Sequence, residues 1–544
     1  MTDALQSRRT FIKSAAALGA IAAAGLTGGA AAANAANEVA TDPSQIQWDE
    51  EYDVVVVGGG LAGFAAAVTV GKEGNGATCL LLEKGDAELG SGNSVFAAGM
   101  VLGTKDPANF LEYCKELRGN MGDTPDDVLE AYANGIAENI DWIASLPLYN
   151  ADEVNINEYY EVGSGSSCYP EYNELEHSYS ISRINWKRDN ASGITQVTPF
   201  MNEVMKTYAD TVTHKVSCPV TALVQDPATK QVLGCVYTED GASRYVKANK
   251  GVIMTCGGFE NNPRMKADYL SAPFARRIAG KCNEGDGITM CARCGADMWH
   301  MNSCAGFWTS MSAIDSDTAL MRTPKDLGIT VGVNGRRFYM DWDADVAEDW
   351  DTFGERNEYS LSLHVGSRHG HMQFGGEWPH LPMPEANWFI CDAAAYQSIL
   401  ENKMMNITFD PMTDGWGYTA DTIEDLAAAI NVPVDELVTT VAQWNECCAN
   451  GEDVYFHRPV NKLTPIGDAP YYALFCAPTM LNTDGGPRRS AKGEVLDLDG
   501  QPIPGLYSAG EFGSVWSGMY QGAGNLGECL AFGRISVRNC LGIA

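Results

Sequence analysis

Three glycines near the start of the chain have a spacing that is suited to binding phosphates. They stand at Gly58, Gly60 and Gly63 in a sequence of 544 residues. The first allows a tight turn, the second lets the backbone approach a pyrophosphate, and the third permits close packing of a helix on a strand. Glu83 follows twenty residues after the third glycine, where a carboxylate accepts hydrogen bonds from ribose hydroxyls. These residue types in this order predict a dinucleotide site.

The residues around these glycines predict a strand, a helix and a second strand. Tyr52 to Val57 is β-branched and apolar, as in a buried parallel strand, and Phe64 to Lys72 is an alanine-rich helical stretch. The second strand runs from Thr78 to Leu82 and ends at the acidic residue. The helix begins beside Leu61 and Ala62, so its unpaired N–H groups face the phosphates.

Further small and polar stretches at both ends of the chain favour FAD over NAD. A second glycine-rich loop follows Glu83, and Gly251 to Phe259 is typical of another strand that ends in small residues. Ile503 to Glu511, near the C-terminus, has the same character. A cofactor held by both ends of the chain has to be long, as FAD is. The residues of these stretches predicted to bind FAD are Lys84, Ser91, Asn93, Ser94, Ala98, Gly99, Thr255, Gly257, Gly258, Gly510 and Glu511.

Together these motifs resemble the flavoprotein superfamily of soluble fumarate reductases, succinate dehydrogenase flavoprotein subunits and 3-ketosteroid Δ1-dehydrogenases. The resemblance also rests on Gly285 to Ile288, Gly335 to Phe338 and Gly522 to Gly533, and it covers nearly all of the chain after residue 50. A narrower resemblance is to the exported reductases of anaerobic gut actinobacteria, such as the cardiac glycoside reductase. The resemblance implies further FAD contacts at Val220, Asp286, Asn525 and Leu526.

The same resemblance implies an α/β fold with two domains. A Rossmann-like FAD-binding domain is expected from both ends of the chain, with an inserted α+β capping domain that closes over the flavin. In this sequence the FAD-binding parts correspond to residues 48–296 and 467–544, and the capping domain to residues 297–466. Two domains also agree with the length, which is too great for one compact core.

Three positions depart from the fumarate reductases where those enzymes bind or protonate a dicarboxylate. Asp345 stands where the resemblance places a proton-donating arginine, Asn482 replaces the histidine of a carboxylate clamp, and Asn525 replaces an arginine. A dicarboxylate would meet neutral or acidic groups where it needs paired cations. We therefore predict that fumarate and succinate are not substrates.

Tyr520 and Gly524 match the Tyr-x-Gly-x-Gly sequence of the ketosteroid enzymes, in which the hydroxyl and the glycine N–H hold a carbonyl oxygen. Reducing a C=C bond conjugated to a carbonyl puts hydride from flavin N5 on the β-carbon and leaves enolate charge on that oxygen. Two fixed donors stabilise the charge. A proton must then reach the α-carbon. Tyr339 is our candidate for this acid, and Asp345 and Tyr179 are the alternatives. It is equally consistent with the sequence that Tyr339 is an aromatic residue packed inside the capping domain.

The first 36 residues have the features of a twin-arginine export signal. Arg8 and Arg9 precede a weakly apolar run from Ala15 to Ala33, and small residues around Ala33 to Ala35 supply a cleavage site. No later segment has about 18 consecutive apolar residues, which a membrane span needs. We therefore expect an exported, extracytoplasmic protein that is associated with the cell envelope.

Composition restricts the partners. A net charge of −33 argues against binding nucleic acid or an anionic membrane surface, which need a basic face. The sequence has no Cys-x-x-Cys-His, so no attached c-type haem is predicted. We expect electrons from an external donor, such as a membrane-anchored cytochrome, and a small molecule as substrate.

Two further groups of residues have side chains that bind metals in other proteins. They are the cysteines Cys282, Cys291, Cys294 and Cys304 and the histidines His364, His369 and His371. Four thiolates can hold an iron–sulfur cluster, but the spacing matches no standard ferredoxin pattern. The histidines lack the spacing of a metal site. We favour a protein without a metal and keep the iron–sulfur cluster as an open alternative.

The leading interpretation is an FAD-dependent ene-reductase that acts on an uncharged α,β-unsaturated carbonyl compound, such as a steroid-like ketone or lactone. The first alternative is reduction of an unsaturated carboxylate of the urocanate, acrylate or fumarate type, with cationic ligands relocated to Arg336, Arg368 or Arg488. The second alternative is a flavin-bearing electron carrier without substrate chemistry.

Overall fold

The computed structural model describes residues 45–97, 99–119, 122–158, 175–186, 197–278, 280–316, 319, 326–338, 386–401, 407, 409–517 and 520–543. The strands are β1 (Glu50–Val57), β2 (Cys79–Leu82), β3 (Val101–Gly103), β4 (Val154–Glu158), β5 (Ser182–Trp186), β6 (Val212–Lys215), β7 (Val220–Gln225), β8 (Val232–Glu239), β9 (Ala242–Met254), β10 (Arg276–Arg277), β11 (Met298–Trp299), β12 (Cys304–Met311), β13 (Ile329–Gly332), β14 (Asn387–Cys391), β15 (Gly417–Ala420), β16 (Tyr471–Thr483), β17 (Gly486–Pro487), β18 (Glu494–Leu496) and β19 (Pro502–Ser508). The α-helices are α1 (Leu61–Glu73), α2 (Pro107–Arg118), α3 (Asp126–Ala144), α4 (Val197–Lys206), α5 (Pro263–Tyr269), α6 (Asp286–Arg293), α7 (Ala393–Glu401), α8 (Ile423–Ala429), α9 (Val434–Asn450) and α10 (Gly524–Leu541).

The largest sheet is built from both ends of the chain. Its strand order is β18–β19–β9–β1–β2–β6, and β8 pairs with both β9 and β7. The N-terminal strand β1 pairs in parallel with β2 and β9, and the C-terminal strand β19 pairs in parallel with β9. The predicted α/β fold, with a Rossmann-like domain formed by both ends of the chain, is therefore confirmed.

Helix α1 is buried because it lies between this sheet and the C-terminal helix α10. The first ten residues of α1, from Leu61 to Val70, are all buried. A side chain on Gly533 of α10 would place its Cβ 2.8 Å from the Cβ of Ala65. Small residues therefore let the two helices approach closely, which fixes the beginning of α1 against the sheet.

A second sheet is organised around the long strand β16. This strand pairs with β10, β12, β14 and β15, and β14 in turn pairs with β13. Apolar residues of the sheet, such as Phe475 and Ile390, pack against Leu437 and Trp444 of α9. The domain boundary predicted between residues 466 and 467 stays a prediction. In the strand pairing, the chain leaves the second sheet after Thr483, at the end of β16, and later returns to the first sheet.

A small third sheet, in the order β3–β5–β4, lies beside α10. Helix α3 packs on α10 through Gly135, where an added Cβ would lie 2.8 Å from the Cβ of Ala531. This arrangement brings β5 close to the start of α10. None of the described helices combines the length and the apolar character needed to cross a membrane.

Candidate active site

A cleft of about 820 Å³ opens at the carboxyl ends of β1, β2 and β9. In open α/β sheets this edge is where ligands bind. The structure brings most of the predicted cofactor-binding residues together here. Those that line the cleft are Gly58, Gly60, Leu61, Ala62, Glu83, Lys84, Asn93, Ser94, Val220, Thr255, Gly257, Asp286 and Glu511.

The turn between β1 and α1 requires its glycines. Gly58 has a φ of +109°, and a Cβ at this position would overlap the carbonyl oxygen of Thr255. Gly63 does not line the cleft, but a Cβ there would overlap the carbonyl oxygen of Gly58. Because they lack side chains, the first and third glycines of the motif let the turn lie close to β9 and fold tightly. The backbone of the turn is therefore exposed to a ligand.

The N-terminus of α1 is prepared for an anion. Its N-cap residue, Gly60, provides no side-chain cap, and the first turn contains no acidic residue. Of the N–H groups at this end, that of Leu61 donates to the Ser94 hydroxyl oxygen at 3.1 Å. Because the positive end of the helix dipole faces the cleft, a pyrophosphate fits this position.

Glu83 is oriented by backbone groups at the end of β2. One carboxylate oxygen accepts from the Gly59 N–H and the other from the Gly85 N–H, both at 2.7 Å. Each carboxylate oxygen has a second lone pair, so the side chain is able to accept a ribose hydroxyl as well. Next to it, the Lys84 ammonium bridges to Asp286 at 2.6 Å and to Glu284 at 2.9 Å, at the rim of the same cleft.

Several predicted cofactor residues lie outside the lining of the cleft. Gly258 and Gly510 are needed for packing. A Cβ on Gly258 would overlap the Thr483 hydroxyl, and a Cβ on Gly510 would lie 2.8 Å from the Cβ of Ala62. Ser91 packs on Gly85, Gly99 has a φ of +79°, and Leu526 packs on the main core. Ala98 lies outside the described residues.

Asn525 also lies outside the cleft lining, in the first turn of α10. Its amide oxygen is buried and has no hydrogen-bond partner among the described residues. A buried acceptor without a donor is uncommon in native proteins, and a ligand that supplied the donor would satisfy it. This oxygen, the uncapped start of α1 and the oriented Glu83 are together consistent with bound FAD.

Tyr520 is held beside the start of α10. Its side chain is buried, with 6% of its surface exposed, and its ring meets that of Trp516 edge to face at 5.4 Å. The hydroxyl oxygen accepts a hydrogen bond from the Asn525 N–H at 3.2 Å. A donor at the positive end of a helix stabilises negative charge on this oxygen, so the hydroxyl is a stronger hydrogen-bond donor than an isolated tyrosine.

Gly524 lies next to Tyr520, but its N–H is not directed at a ligand. It donates to the Gln521 carbonyl at 2.9 Å, because Ala523 adopts a left-handed φ of +72° and turns the chain back on itself. The Gly524 carbonyl accepts from the Tyr132 hydroxyl at 3.1 Å. In this arrangement the Gly524 N–H is paired within the chain, and the catalytic roles predicted for Tyr520 and Gly524 stay predictions.

Arg183 is a residue of this region that the sequence reasoning missed. It lies on β5 with 5% of its surface exposed, and its guanidinium donates to the Gly522 carbonyl at 3.2 Å. A buried cation therefore contacts the loop that carries Tyr520. The sequence does contain an arginine within Ser182 to Trp186, a stretch in which polar and apolar residues alternate as in a strand. It does not show which part of the protein the side chain of a strand residue contacts.

The candidates for the catalytic acid are not placed by the structure. Tyr339 and Asp345 lie outside the described residues, as does the side chain of Tyr179. The same holds for four further candidates of the predicted capping domain, which are Arg368, His364, His369 and His371. Their roles stay predictions.

The four cysteines considered for an iron–sulfur cluster are not gathered. The one group of three potential metal ligands within 4.8 Å of each other in the described part of the chain is Glu116, Glu176 and His177. Burial raises the pKa of Cys294 to about 11 and that of Cys304 to about 12, so both thiols are protonated at neutral pH. The geometry offers no support for the cluster.

Comparisons with known proteins agree with the cofactor. Residues 53–526 match a protein family described as an FAD binding domain. Digoxin reductase of Eggerthella lenta is 27% identical over 581 aligned residues, which cover 98% of this chain and 96% of that protein. A probable fumarate reductase of Shewanella frigidimarina is 25% identical over 507 residues, which cover 90% of this chain and 75% of that protein.

The fold agrees as well. The crystal structure of 3-ketosteroid Δ1-dehydrogenase from Sterolibacterium denitrificans superimposes with a TM-score of 0.70 at 20% identity, over 91% of this chain and 100% of that one. The family match spans most of the chain, and the predicted FAD-binding residues that line the cleft lie within it. The chain thus belongs to the FAD binding domain family, in the superfamily of fumarate reductases and 3-ketosteroid dehydrogenases, and is an FAD-dependent oxidoreductase acting on CH–CH groups.

Proposed function

We propose that this protein reduces a C=C bond conjugated to the carbonyl of an uncharged, steroid- or lactone-like small molecule. The observation that carries the proposal is the Tyr520 hydroxyl, which is buried at the N-terminus of α10 and accepts the Asn525 N–H. The alignment of nearly the whole chain with a protein named digoxin reductase supports the reductive direction.

The Tyr520 hydroxyl is the group that meets the developing charge. Bound FAD, when reduced, supplies the hydrogen and the electron pair that the double bond takes up. Tyr520 donates to the carbonyl oxygen as enolate charge forms, and the Asn525 N–H supports the tyrosine oxygen. One fixed donor of this kind is worth about 3–4 kcal/mol in the transition state.

An uncharged substrate is favoured by the charges around the site. The Asn482 amide, which stands in place of a histidine, donates to the buried Asp484 carboxylate at 2.9 Å. Arg336, one proposed cationic ligand, forms a bidentate pair with Glu436 on the surface. Another, Arg488, pairs with Asp297 at 2.7 Å and with a second aspartate. Cations held by carboxylates are poor ligands for a substrate carboxylate.

A panel of electron acceptors tests this proposal. Oxidation of reduced viologen is measured anaerobically with an unsaturated steroid ketone, urocanate and fumarate, one at a time. We expect the ketone to be turned over and fumarate to react at less than about a hundredth of that rate. Rapid turnover of fumarate would overturn the proposal. An electron carrier without substrate chemistry predicts that none of the three is turned over.

A carboxylate substrate is the second candidate function, and Arg183 is the observation in its favour. Its buried guanidinium lies against the carbonyl of Gly522, which is two residues after Tyr520 in the chain. If urocanate binds there, Arg183→Gln raises the KM for urocanate while an unsaturated ketone, if it reacts at all, is unaffected. If the leading proposal is right, urocanate is inert in the native protein as well.

We also propose that the protein is exported and receives electrons from a membrane-anchored cytochrome or another external donor. The support is the sequence around Arg8 and Arg9 and the lack of a Cys-x-x-Cys-His haem site. Replacing both arginines with lysine is expected to leave the protein in the cytoplasm, while the native chain is recovered in the cell-envelope fraction. Equal distribution of the two proteins would contradict export by the twin-arginine route.

A further inference from the structure

Two glutamates, one of which lines the cofactor cleft, share one hydrogen-bond donor. The Asn93 amide nitrogen donates to a carboxylate oxygen of Glu260 at 2.5 Å and to a carboxylate oxygen of Glu511 at 3.0 Å. Glu260 follows β9 and is 2% exposed, while Glu511 follows β19 and lines the cleft. Since both oxygens bond to the same nitrogen, the two carboxylates are immediate neighbours.

The direction of the Asn93 amide is fixed by the backbone. Its oxygen accepts the Gly280 N–H at 3.0 Å, so its NH2 group has to face the glutamates. The remaining bonds to Glu260 come from the Asn283 amide at 2.9 Å and the Thr483 hydroxyl at 3.2 Å. Every one of these partners is neutral, so hydrogen bonds orient the pair but do not balance its charge.

The surroundings of the pair add negative charge. Among the described residues no lysine, arginine or histidine forms an ion pair with Glu260 or Glu511. Burial raises the pKa of Glu260, and burial followed by the charges of Glu260 and Asp484 raises the pKa of Glu511 well above its usual range. Two neighbouring carboxylates without a cation cannot both ionise readily.

The other described groups that face the pair do not supply the missing cation. Asp484 and Glu528 approach Glu511 from the end of β16 and from α10, and burial raises the pKa of Glu528 to about 7. Arg489 bonds to the backbone carbonyls of Gly510 and Phe512 and lies 3.4 Å from Glu528. The thiols nearby are Cys304 and Cys529, and burial raises the pKa of both.

We propose that Glu260 and Glu511 hold one shared proton beside the cofactor and bind a second proton when FAD is reduced. Reduction brings two electrons from an external one-electron donor into the cleft, and the added negative charge increases the proton affinity of the pair. The proton comes from solvent and converts the singly charged pair to a neutral one. Reoxidation by a substrate releases that proton. The pair is thereby a proton-loading site linked to the redox state of the cofactor.

The pH dependence of the FAD midpoint potential tests the proposal without any substrate. One additional proton bound per two electrons changes the reduction equilibrium tenfold per pH unit, which is about 30 mV. Glu260→Gln leaves one carboxylate where the native protein has two, so the variant has no pair that can share one proton and bind a second. Between about pH 5 and about pH 8 we expect the potential of the native protein to fall more steeply with rising pH, by that amount, than the potential of Glu260→Gln.

Glu436→Gln is the matched control. Glu436 is exposed and forms an ion pair with Arg336. It belongs to α9, which packs on the second sheet, and is far in sequence from the residues of the cleft. Its slope should equal that of the native protein. Equal slopes for the native protein and Glu260→Gln would overturn the proposal.

Infrared difference spectra of the native protein provide a second test that does not depend on a variant. Reduction should produce a protonated carboxylic acid band, because the pair gains a proton. Absence of that band would also overturn the proposal. Neither measurement involves the substrate, so their failure leaves the proposed ene-reductase activity standing, and failure of the acceptor panel leaves the proton site standing.

Discussion

Tyr520→Phe is expected to lower the turnover of an unsaturated carbonyl substrate by about a hundredfold while FAD remains bound. The change removes only the hydroxyl, which lies at the N-terminus of α10 and accepts the Asn525 N–H. Without it the developing enolate loses a fixed donor, so kcat falls more than KM rises. The measurement is steady-state oxidation of reduced viologen, with FAD content determined from the flavin spectrum.

Tyr396→Phe is the matched control for that experiment. The Tyr396 ring stacks on Tyr472 at 3.9 Å in the second sheet's domain, and its hydroxyl donates to Asp410 at 3.2 Å. We expect this variant to keep native turnover. If Tyr520→Phe also retains native turnover with full FAD content, the hydroxyl does not bind the reacting carbonyl.

Gly58→Ala is expected to purify as a folded protein with little or no FAD. The added Cβ overlaps the Thr255 carbonyl oxygen, and an alanine at a φ of +109° is strained by about 1–3 kcal/mol. Relief of the overlap moves the turn away from β9 and displaces the N–H groups at the start of α1. We expect FAD affinity to fall at least about a hundredfold, measured by titration of the apoprotein and monitored by flavin fluorescence.

Gly500→Ala separates the effect of strain from that of the overlap. Gly500 also has a positive φ, +73°, but no atom lies within 4 Å of an added Cβ. This variant should bind FAD like the native protein and lose only a small part of its free energy of unfolding. Native FAD affinity in Gly58→Ala would show that the turn does not position the cofactor.

The cofactor cleft was predictable because its signals are local. The order of Gly58, Gly60 and Gly63 after an apolar stretch specifies one strand, one turn and one helix, and the structure has β1 and α1 in these places. The contribution of the C-terminal end followed from the resemblance. Hydrogen bonds between β19 and β9 bring the two ends together and pair Leu506 with Val252, which are almost half of the chain apart in sequence.

The features that the sequence did not reveal depend on directions of side chains and N–H groups. The Gly524 N–H turns to Gln521 because of one left-handed residue, Ala523, which no motif indicates. Arg183 reaches the Gly522 carbonyl because β5 lies beside α10, which is a tertiary contact. Glu260 directly follows the predicted strand and its small residues, but its nearness to Glu511 requires the whole sheet.

Reoxidation of the reduced protein in a single turnover tests the central claim most directly. The protein is reduced anaerobically, mixed with an unsaturated steroid ketone or with fumarate, and followed by flavin absorbance. We predict rapid reoxidation by the ketone, reoxidation about a hundredfold slower in Tyr520→Phe, and no acceleration by fumarate. Reoxidation by fumarate as fast as by the ketone, or equal rates in the native protein and Tyr520→Phe, would contradict reduction of an uncharged conjugated carbonyl at Tyr520.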